Sequence, residues 1–281
     1  MTGSGAAPTL ALVVITRNEE ANIGRCLTSV SGLAEEMVVV DSGSTDGTTA
    51  IARAAGARVF TQEFLGYGRQ KQLALEKAGC DWLLFLDADE WLDEEARGAI
   101  GAALGARPPE TVTGYRLRRR TFYLGGWVKH AAWLNEPKLR LVRRGAARWK
   151  PDVVHESLEL TSGCCRSLPG RILHSPYRDL AHQLQKIDRY TEIIAVRDQD
   201  TPAARVLFGM ILEPPLVFLQ SWFLQLGVLD GLRGFLGASL QAFYFFLRYA
   251  KIWQQRRARV EEAREAREAK VSKAGPDAHG R

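Results

Sequence analysis

The sequence has few cysteines, and none of them has the spacing of a metal or redox site. Its 281 residues contain only Cys26, Cys80, Cys164 and Cys165, without a CxxC motif. A disulfide between adjacent cysteines would be strained, so a disulfide-stabilised scaffold is excluded and reduced thiols are expected. The first nine residues also lack the positively charged start and apolar stretch of a signal peptide. We therefore expect the protein in the cytoplasm or on the cytoplasmic face of a membrane.

Phosphate-binding loops and long apolar runs are missing as well. There is no GxxxxGK[ST] motif, and the one glycine-rich element, residues 42–47, does not fit GxGxxG, which disfavours a kinase or a dehydrogenase. The longest uncharged runs, residues 214–229 and 234–247, have 16 and 14 residues and fall short of the ~20 that span a bilayer. With 46% hydrophobic and 25% charged residues, the chain is neither disordered nor fibrous.

Acidic residues are almost absent from one short segment. Residues 116–150 carry eleven Lys or Arg and one acidic residue, a net charge of +10. Residues 1–115 have a net charge of −7, residues 151–250 of −1 and residues 251–281 of +4. The overall charge of +6 therefore hides an acidic segment that is followed by a strongly basic one.

The first 110 residues alternate between apolar runs and helical patterns. Runs at residues 10–16, 37–40, 58–61 and 82–86 precede helical patterns at residues 19–33, 46–55, 67–78 and 93–104. Such alternation is typical of a parallel sheet with helices on both faces, so we expect a Rossmann-like α/β unit. Extended segments at residues 113–123, 138–143, 153–160 and 171–174, and a helix at 179–199, predict a second half over residues 111–200.

Acidic residues follow the predicted strands where ligands bind in such sheets. Asp41 follows the second strand, and Asp87, Asp89 and Glu90 follow the fourth. Crowded carboxylates repel unless a cation holds them, and Asp-x-Asp at a strand end indicates a hard divalent metal, Mg²⁺ or Mn²⁺. Such a metal in turn indicates a phosphate-bearing ligand.

Three of these segments resemble a known family. The motifs "VVITRNEEANIGRCLTSV", "VVVDSGSTDGT" and "LLFLDADEWL" are similar, in order and spacing, to the nucleotide-binding half of family 2 inverting glycosyltransferases with the GT-A fold. Further along, "KLRLVRR", "VVHESLEL", "ILHSP" and the apolar C-terminal segment resemble the branch that includes lipopolysaccharide core β-glucosyltransferases. The resemblance implies a GT-A fold, an α/β nucleotide-diphospho-sugar transferase architecture, followed by an apolar helical segment.

The resemblance also implies roles for individual residues of the nucleotide half. Asp41 is expected to hydrogen-bond the base of the nucleotide. Asp87 is expected to face the ribose and the metal, and Asp89 to ligate the metal that bridges the two phosphates. Three residues are expected to frame the same pocket: Thr16, Asn18 and Glu19.

Four further residues of the transferase domain have other interpretations. His174 either supplies an imidazole to the metal or diphosphate or is a structural histidine. Asp46 is expected to cap the second helix. Arg69 and Lys71, on the helix before the fourth strand, are either solvated or approach the nucleotide, and neither is included among the predicted site residues.

An inverting transfer needs a general base to deprotonate the acceptor hydroxyl. Glu156 in "VVHESLEL" is the predicted base, because the family carries a carboxylate at the corresponding place, and Asp152 is the alternative. From the basic segment, Arg140, Arg143 and Trp127 are predicted to contact an anionic acceptor. A basic patch with tryptophans also suits single-stranded nucleic acid, but nothing else resembles an RNA-binding module. A solvated edge strand accounts for about half of these basic side chains.

Residues 206–250 contain only four charged residues and ten of the 25 aromatic ones. We expect this segment, within a region spanning residues 201–255, to form a helical pair that lies in the membrane interface or enters one leaflet. A buried hairpin or an oligomer interface is the alternative. Residues 256–281 form a charged tail, predicted to be a solvated helix with a weak contribution to membrane-surface binding.

Together these features predict a metal-dependent inverting glycosyltransferase. It would move a hexose, in particular glucose, from a nucleotide-diphosphate donor such as a UDP-sugar. The acceptor would be a lipid-linked anionic glycan, such as lipopolysaccharide inner core, at the cytoplasmic face of the inner membrane, with the enzyme peripheral or monotopic. Alternatives are a polyprenyl-phosphate sugar synthase and a non-catalytic scaffold for envelope assembly.

Overall fold

The computed structural model describes residues 7–130, 137–150 and 157–273. The chain divides into two compact units. The first unit comprises Met1–Lys129 and Asn135–Pro176, and the second comprises His130–Leu134 and Tyr177–Arg281. Both predicted halves of the transferase domain, up to His174, therefore contribute to one unit.

A nine-stranded mixed sheet forms the centre of the first unit, in the order β3-β2-β1-β4-β8-β6-β11-β5 with β7 paired to β6. A separate two-stranded sheet pairs β10 with β9. The strands are β1 Leu10–Thr16, β2 Glu36–Asp41, β3 Arg58–Thr61, β4 Trp82–Phe85, β5 Glu90–Leu92, β6 Val112–Tyr123, β7 Gly126–Val128, β8 Lys138–Arg143, β9 Ala147–Trp149, β10 Leu158–Leu160 and β11 Cys164–His174. The helices of this unit are α1 Ile23–Thr28, α2 Thr48–Ala54, α3 Tyr67–Lys77 and α4 Glu94–Gly105.

The continuous apolar runs form strands because both faces of the sheet are buried. Along β1, Leu10, Leu12 and Val14 pack into one apolar cluster, while Ala11 and Val13 pack into a second on the opposite face. Side chains alternate between the two faces of a strand, so a run with no polar residue supplies apolar side chains to the clusters on both faces.

The directions of the strands place their last residues at one edge of the sheet. β1, β2 and β4 are parallel to one another, β8 is antiparallel to both β4 and β6, and β11 is parallel to β6. β4, β6 and β11 consequently run the same way. Asp41, the loop that follows β4 and His174 all lie at this shared edge, as the sequence predicted for a ligand site.

One glycine lets β11 cross closely over α4. Gly170 has φ of +81°, and a Cβ atom there would lie 2.1 Å from the backbone nitrogen of Ala96. Asp93 caps α4 by accepting the Ala96 N–H at 2.8 Å, and the same oxygen accepts the Arg171 N–H at 3.0 Å. The helix cap therefore also fixes the strand that carries His174.

Helices make up the second unit: α5 Leu180–Arg197, α6 Ala203–Leu219 and α7 Gly231–Lys273. α6 continues through a π-helical turn, Gln220–Leu224, and a 3₁₀ turn, Gly227–Asp230, leads into α7. α6 and α7 pack as a hairpin, in which Gly209 lets the Tyr249 ring approach and the Tyr249 hydroxyl donates to Glu213 at 2.7 Å.

The predicted GT-A architecture with its C-terminal apolar helices is confirmed. Several element boundaries differ from the sequence prediction; β11, for example, begins at Cys164 and not at residue 171, and α1 ends at Thr28 and not at residue 33. α1 begins only at Ile23, because residues 19–22 form a turn in which the Glu19 carbonyl accepts the N–H groups of Asn22 and Ile23. The predicted separate tail helix is continuous with α7, since no glycine or proline interrupts residues 238–273.

Candidate active site

The loops after β1 and β2 are joined by side-chain hydrogen bonds. Asn18, in the left-handed conformation at φ 55°, accepts the Thr45 N–H at 2.8 Å, and its own N–H donates to the Ser44 hydroxyl at 2.8 Å. The Glu19 N–H donates to the Thr48 hydroxyl at 2.8 Å. Asn18 and Glu19, predicted to frame the nucleotide pocket, thus fix the two loops to each other.

Asp41 is 2% exposed and holds its own loop. Its Oδ2 atom accepts the N–H groups of Gly43 and Ser44 at 3.0 and 2.9 Å, and its Oδ1 atom accepts the Ser44 hydroxyl at 2.5 Å. A carboxylate has about four lone-pair sites, so Oδ1 retains acceptor capacity for the predicted base contact. Nearby, the Thr16 Oγ1 atom is buried without a hydrogen-bond partner among the described residues.

Asp46 accepts the Thr48 N–H at 3.0 Å and the Thr48 hydroxyl at 2.5 Å. The residue at the N-cap position of α2 is Gly47, so Asp46 caps the helix from one position earlier than predicted. Desolvation raises the pKa of Asp46, but the hydrogen bonds from Thr48 and Glu20 outweigh it and lower the pKa below its usual value. The carboxylate consequently stays ionised in its structural role.

Two cations hold Asp87, the first acidic residue after β4. Lys71 Nζ lies 2.8 Å from its Oδ1 atom, and Arg140 Nη2 lies 3.4 Å from its Oδ2 atom. Desolvation raises the pKa of Asp87, but Lys71 and Arg140 outweigh it and hold the pKa well below its usual value. Asp87 is therefore a permanent anion between two buried or nearly buried cations.

Glu90 is fully buried and links the backbone of the loop to the nearby arginines. Its Oε2 atom accepts the Asp87 N–H at 3.0 Å, while its own N–H donates to the Asp87 carbonyl at 2.8 Å. Its Oε1 atom lies 2.9 Å from Arg140 Nη2 and 3.6 Å from Arg119 Nη1. Because Arg140 contacts both carboxylates, one guanidinium links Glu90 to Asp87.

Asp89 and His174 face each other at the same edge. His174 Nε2 lies 3.6 Å from Asp89 Oδ1, and the Asp89 carbonyl accepts the Ser175 N–H at 3.0 Å. Strand pairing sets this approach, because β11 aligns His174 with Glu90. His174 Nδ1 is buried and has no hydrogen-bond partner among the described residues.

The chemistry of these side chains suits a hard metal ion. Among the described residues, no group of three or more His, Cys, Asp or Glu forms a metal cage. Mg²⁺ is commonly held by one or two carboxylates together with substrate phosphates, so the Asp89 carboxylate fits such a partial site, and the His174 imidazole beside it is a softer ligand. Asp87, predicted as a further ligand, has one carboxylate oxygen on Lys71 and the other on Arg140.

The structure separates the three predicted acceptor residues. Arg140 is 7% exposed and belongs to the acidic cluster, not to an open acceptor surface. Arg143 pairs with Trp82 at the start of β4, at the opposite edge of the sheet from Asp87. Trp127 is 36% exposed on β7, with Arg120 4.8 Å from its ring centroid. Both predicted bases, Glu156 and Asp152, lie outside the described residues.

The charge balance of the acidic loop is not evident from the sequence. The sequence pattern assigns no site role to the cations Lys71 and Arg119 or to the carboxylate Glu90, although all three contribute to the charge balance of the loop. Glu90 directly follows Asp-x-Asp, and a third carboxylate at that position was the available signal. Nothing in the sequence around Lys71 indicates a site role, because a lysine on an amphipathic helix is ordinarily solvated.

We expect Glu90→Gln to destabilise the first unit by about 3 kcal/mol, because it removes a buried charge that balances Arg140 and Arg119. The free energy of unfolding in urea measures the change. Glu63→Gln, at an exposed position, is the matched control and should change it by less than about 0.5 kcal/mol. Equal stabilities of the two variants would contradict the role given to Glu90.

Comparison with known proteins places the chain in a family. The model of the family Glycosyl transferase family 2 matches residues 11–155. The lipopolysaccharide core biosynthesis glycosyltransferase LpsC of Rhizobium meliloti is 33% identical over 252 residues, which cover 88% of this chain and 92% of LpsC. A glycosyltransferase of Rickettsia typhi is 28% identical over 247 residues, 85% of each chain.

A solved structure is similar to part of the chain. It is glucosyl-3-phosphoglycerate synthase from Mycobacterium tuberculosis in complex with Mn²⁺ and UDP-glucose, with 29% sequence identity and a TM-score of 0.33. The match covers 42% of this chain and 45% of the synthase. On the family match and the 33% identity along nearly the whole of LpsC, the chain belongs to glycosyl transferase family 2.

Proposed function

We propose that the protein transfers a hexose, glucose in particular, from a UDP-sugar to a lipid-linked anionic glycan, with inversion at the anomeric carbon. The acceptor is lipopolysaccharide inner core, and the reaction takes place at the cytoplasmic face of the inner membrane. The observation that carries this proposal is the loop after β4. There, Asp89 faces His174 at 3.6 Å while Asp87 is held between Lys71 and Arg140.

The donor side of the proposal rests on charge and on hydrogen-bonding capacity. Asp41 and the buried Thr16 hydroxyl, at the ends of β2 and β1, offer polar groups to a nucleoside. Lys71 and Arg140 lie at the edge where the diphosphate would lie, where they also balance the carboxylates of Asp87 and Glu90. Arginine and lysine are the usual partners of phosphate oxygens.

Asp89 and His174 are the proposed protein ligands of Mg²⁺ or Mn²⁺. Such an ion, when bound, neutralises the charge that develops on the leaving diphosphate. Glu90 keeps these ligands in place, because it fixes the backbone of Asp87 and pairs with His174 across β5 and β11. Preorganised ligands avoid a reorganisation cost when the donor arrives.

Acceptor activation is assigned to Glu156. A carboxylate within hydrogen-bond reach of the acceptor hydroxyl would take its proton as the oxygen attacks the anomeric carbon. Glu156 follows the basic segment directly and precedes β10. The relative LpsC, named for lipopolysaccharide core biosynthesis and aligned over 92% of its length, supports the acceptor class.

The exposed face of α6 supports a membrane location. Within the described residues, the continuous helix Ala203–Leu224 is long and apolar enough to cross a bilayer, and only 17% of its most apolar window is buried. Its exposed side chains over about five turns are apolar except for Gln220. The large apolar ones are Leu207, Phe208, Ile211, Leu212, Leu216, Leu219, Phe223 and Leu224. A buried hairpin, one alternative from the sequence, does not agree with this exposure.

The charged residues of the α6–α7 hairpin are engaged in pairs within the second unit. Arg248 contacts Asp198 at 2.8 Å, and Arg205 contacts Glu213 at 3.0 Å. Asp230, at the turn, is paired with His130 at 3.2 Å. Pairing lowers the cost of placing these charges beside an apolar surface.

Replacing Asp89 by Asn should abolish sugar transfer. Loss of a direct metal ligand removes charge stabilisation at the leaving diphosphate, and we expect turnover to fall about 10²-fold or more. UDP release from UDP-glucose with truncated lipopolysaccharide as acceptor measures it. Asp200→Asn, at an exposed carboxylate of the second unit, is the control and should retain full turnover. Full activity of Asp89→Asn would overturn the assignment.

Replacing Glu156 by Gln should separate binding from chemistry. Removal of a general base lowers turnover by about 10²- to 10⁴-fold, while the affinity for UDP-glucose stays within about twofold of wild type. Glu159→Gln, a nearby surface carboxylate that pairs with Lys150 at 2.6 Å, is the matched control. Near-normal turnover of Glu156→Gln would place the base elsewhere, and Asp152→Asn would then test the alternative.

Three substitutions on α6, Leu212→Gln, Leu216→Gln and Leu219→Gln in one chain, should weaken membrane binding. Each leucine contributes about 1.5–3 kcal/mol when fully buried, so co-flotation with phosphatidylglycerol vesicles should fall at least about tenfold. Leu65→Gln, an exposed leucine of the first unit, should change nothing. A wild-type chain that stays soluble as a larger oligomer would instead support the interface alternative.

A further inference from the structure

Three arginines share one face of the paired strands β6 and β11. Arg116 and Arg118 are two residues apart on β6, so their side chains point to the same side of the sheet, and both are exposed. The parallel register aligns Arg171 of β11 with Arg118, and Arg171 is also exposed. We refer to Arg116, Arg118 and Arg171 as the arginine row.

The arginine row has no built-in counter-charge. Within residues 7–130, 137–150 and 157–273, none of its three members lies in a salt bridge, although Arg116 Nε donates to Cys165 Sγ at 3.3 Å. Arg118 and Arg171 are lateral neighbours on strands about 4.8 Å apart. Like charges in register destabilise a sheet, so this arrangement has a cost that an anion between the two guanidinium groups would relieve.

Solubility of an edge strand accounts for Arg171, because β11 pairs with β5 only from Ile172 to His174, but it does not explain Arg116 and Arg118. The basic side chains of this segment were expected to lie partly on a solvated edge, but β6 is an interior strand. It pairs with β8 on one side and with β11 on the other, and Arg116 itself is aligned with Leu139 and Ser167. Arginines that protect an exposed edge belong on an outer strand, where backbone groups are unpaired.

β6 leads from the row to the proposed active site. Two residues beyond Arg118, Arg120 lies on the same face with its guanidinium 4.8 Å from the Trp127 ring centroid. The next residue, Thr121, is aligned with His174. At about 3.3 Å per residue, Arg118 is roughly 10 Å from the strand position beside His174. Thr121 and His174 lie on the opposite face of the sheet from Arg118, so the row shares its face with Arg120 and Trp127 and approaches the proposed metal ligands only along the strand direction.

We infer that the arginine row binds phosphate groups of the acceptor glycan and so sets how the glycan enters the site. This inference rests on the proposed function and adds the recognised chemistry, phosphate monoesters or diesters on sugar. The planar guanidinium group binds two oxygens of a tetrahedral phosphate bidentately, and two adjacent arginines hold such a group better than isolated lysines do. Trp127 offers a ring for stacking against the sugar next to those phosphates.

Binding of a lipid-free glycan tests the inference. The probe is the phosphorylated core oligosaccharide released from lipopolysaccharide by delipidation, titrated calorimetrically in the presence of Mn²⁺ and saturating UDP. We expect the double variant Arg118→Gln/Arg171→Gln to bind it about 100-fold more weakly, since each charge-assisted contact accounts for about tenfold. The same oligosaccharide after chemical dephosphorylation should bind wild type as weakly as the phosphorylated form binds the variant.

Two controls separate the inference from the proposed function. Arg53→Gln, at an exposed arginine on α2 away from the row, should bind the phosphorylated oligosaccharide like wild type. The affinity for UDP with Mn²⁺ is measured on the wild-type protein and on every variant. Absence of UDP binding by the wild-type protein would overturn the proposed function. Retained UDP binding together with wild-type oligosaccharide affinity in the double variant would overturn the inference alone.

Vesicles distinguish a lipid surface from the glycan. Co-flotation with phosphatidylglycerol vesicles should be the same for wild type and the Arg118→Gln/Arg171→Gln variant, because α6 provides the membrane contact. If the double variant lost vesicle binding and kept oligosaccharide binding, the row would be a lipid-headgroup surface and the inference would be wrong.

Discussion

The buried carboxylate of Glu90 is the interaction on which the proposed site depends. It accepts the Asp87 N–H, balances Arg140 and Arg119, and lies beside His174 through the pairing of β5 and β11. A buried ion that loses its partner costs several kcal/mol, so Glu90, Arg140 and Asp87 are retained or lost together. Lys71, Arg140 and Arg119 balance the carboxylates of Asp87 and Glu90 within this short loop. The same loop then presents Asp89 outward, toward the shared edge of the sheet.

Strand direction explains why residues from distant parts of the sequence meet there. β4, β6 and β11 run the same way although β8 lies between β4 and β6. The final residues of all three strands consequently reach one edge. Gly170 and the Asp93 cap fix β11 against α4, which keeps His174 in line with the loop after β4.

Much of the nucleotide half was predictable because its strands are buried on both sides. β1 and β3 have the predicted bounds, and the residues after β1, β2 and β4 are those that the apolar runs indicated. Which side chains of β8 reach the site was not predictable, since that depends on how β8 pairs with β4. Arg140 and Arg143 are three residues apart in a similar sequence context, yet β8 is antiparallel to β4. Arg140 therefore reaches Asp87 while Arg143 lies at the opposite edge. No local pattern shows which strand lies beside β4, and the same missing information made β6 resemble an edge strand.

The central claim is that this edge binds a nucleotide diphosphate with the help of a divalent ion. Calorimetric titration of the wild-type chain with UDP-glucose, with and without Mn²⁺, tests it most directly. Asp89 and His174 predict at least about tenfold tighter binding with the ion present. Equal affinity with and without Mn²⁺, or no binding in either case, would contradict the account.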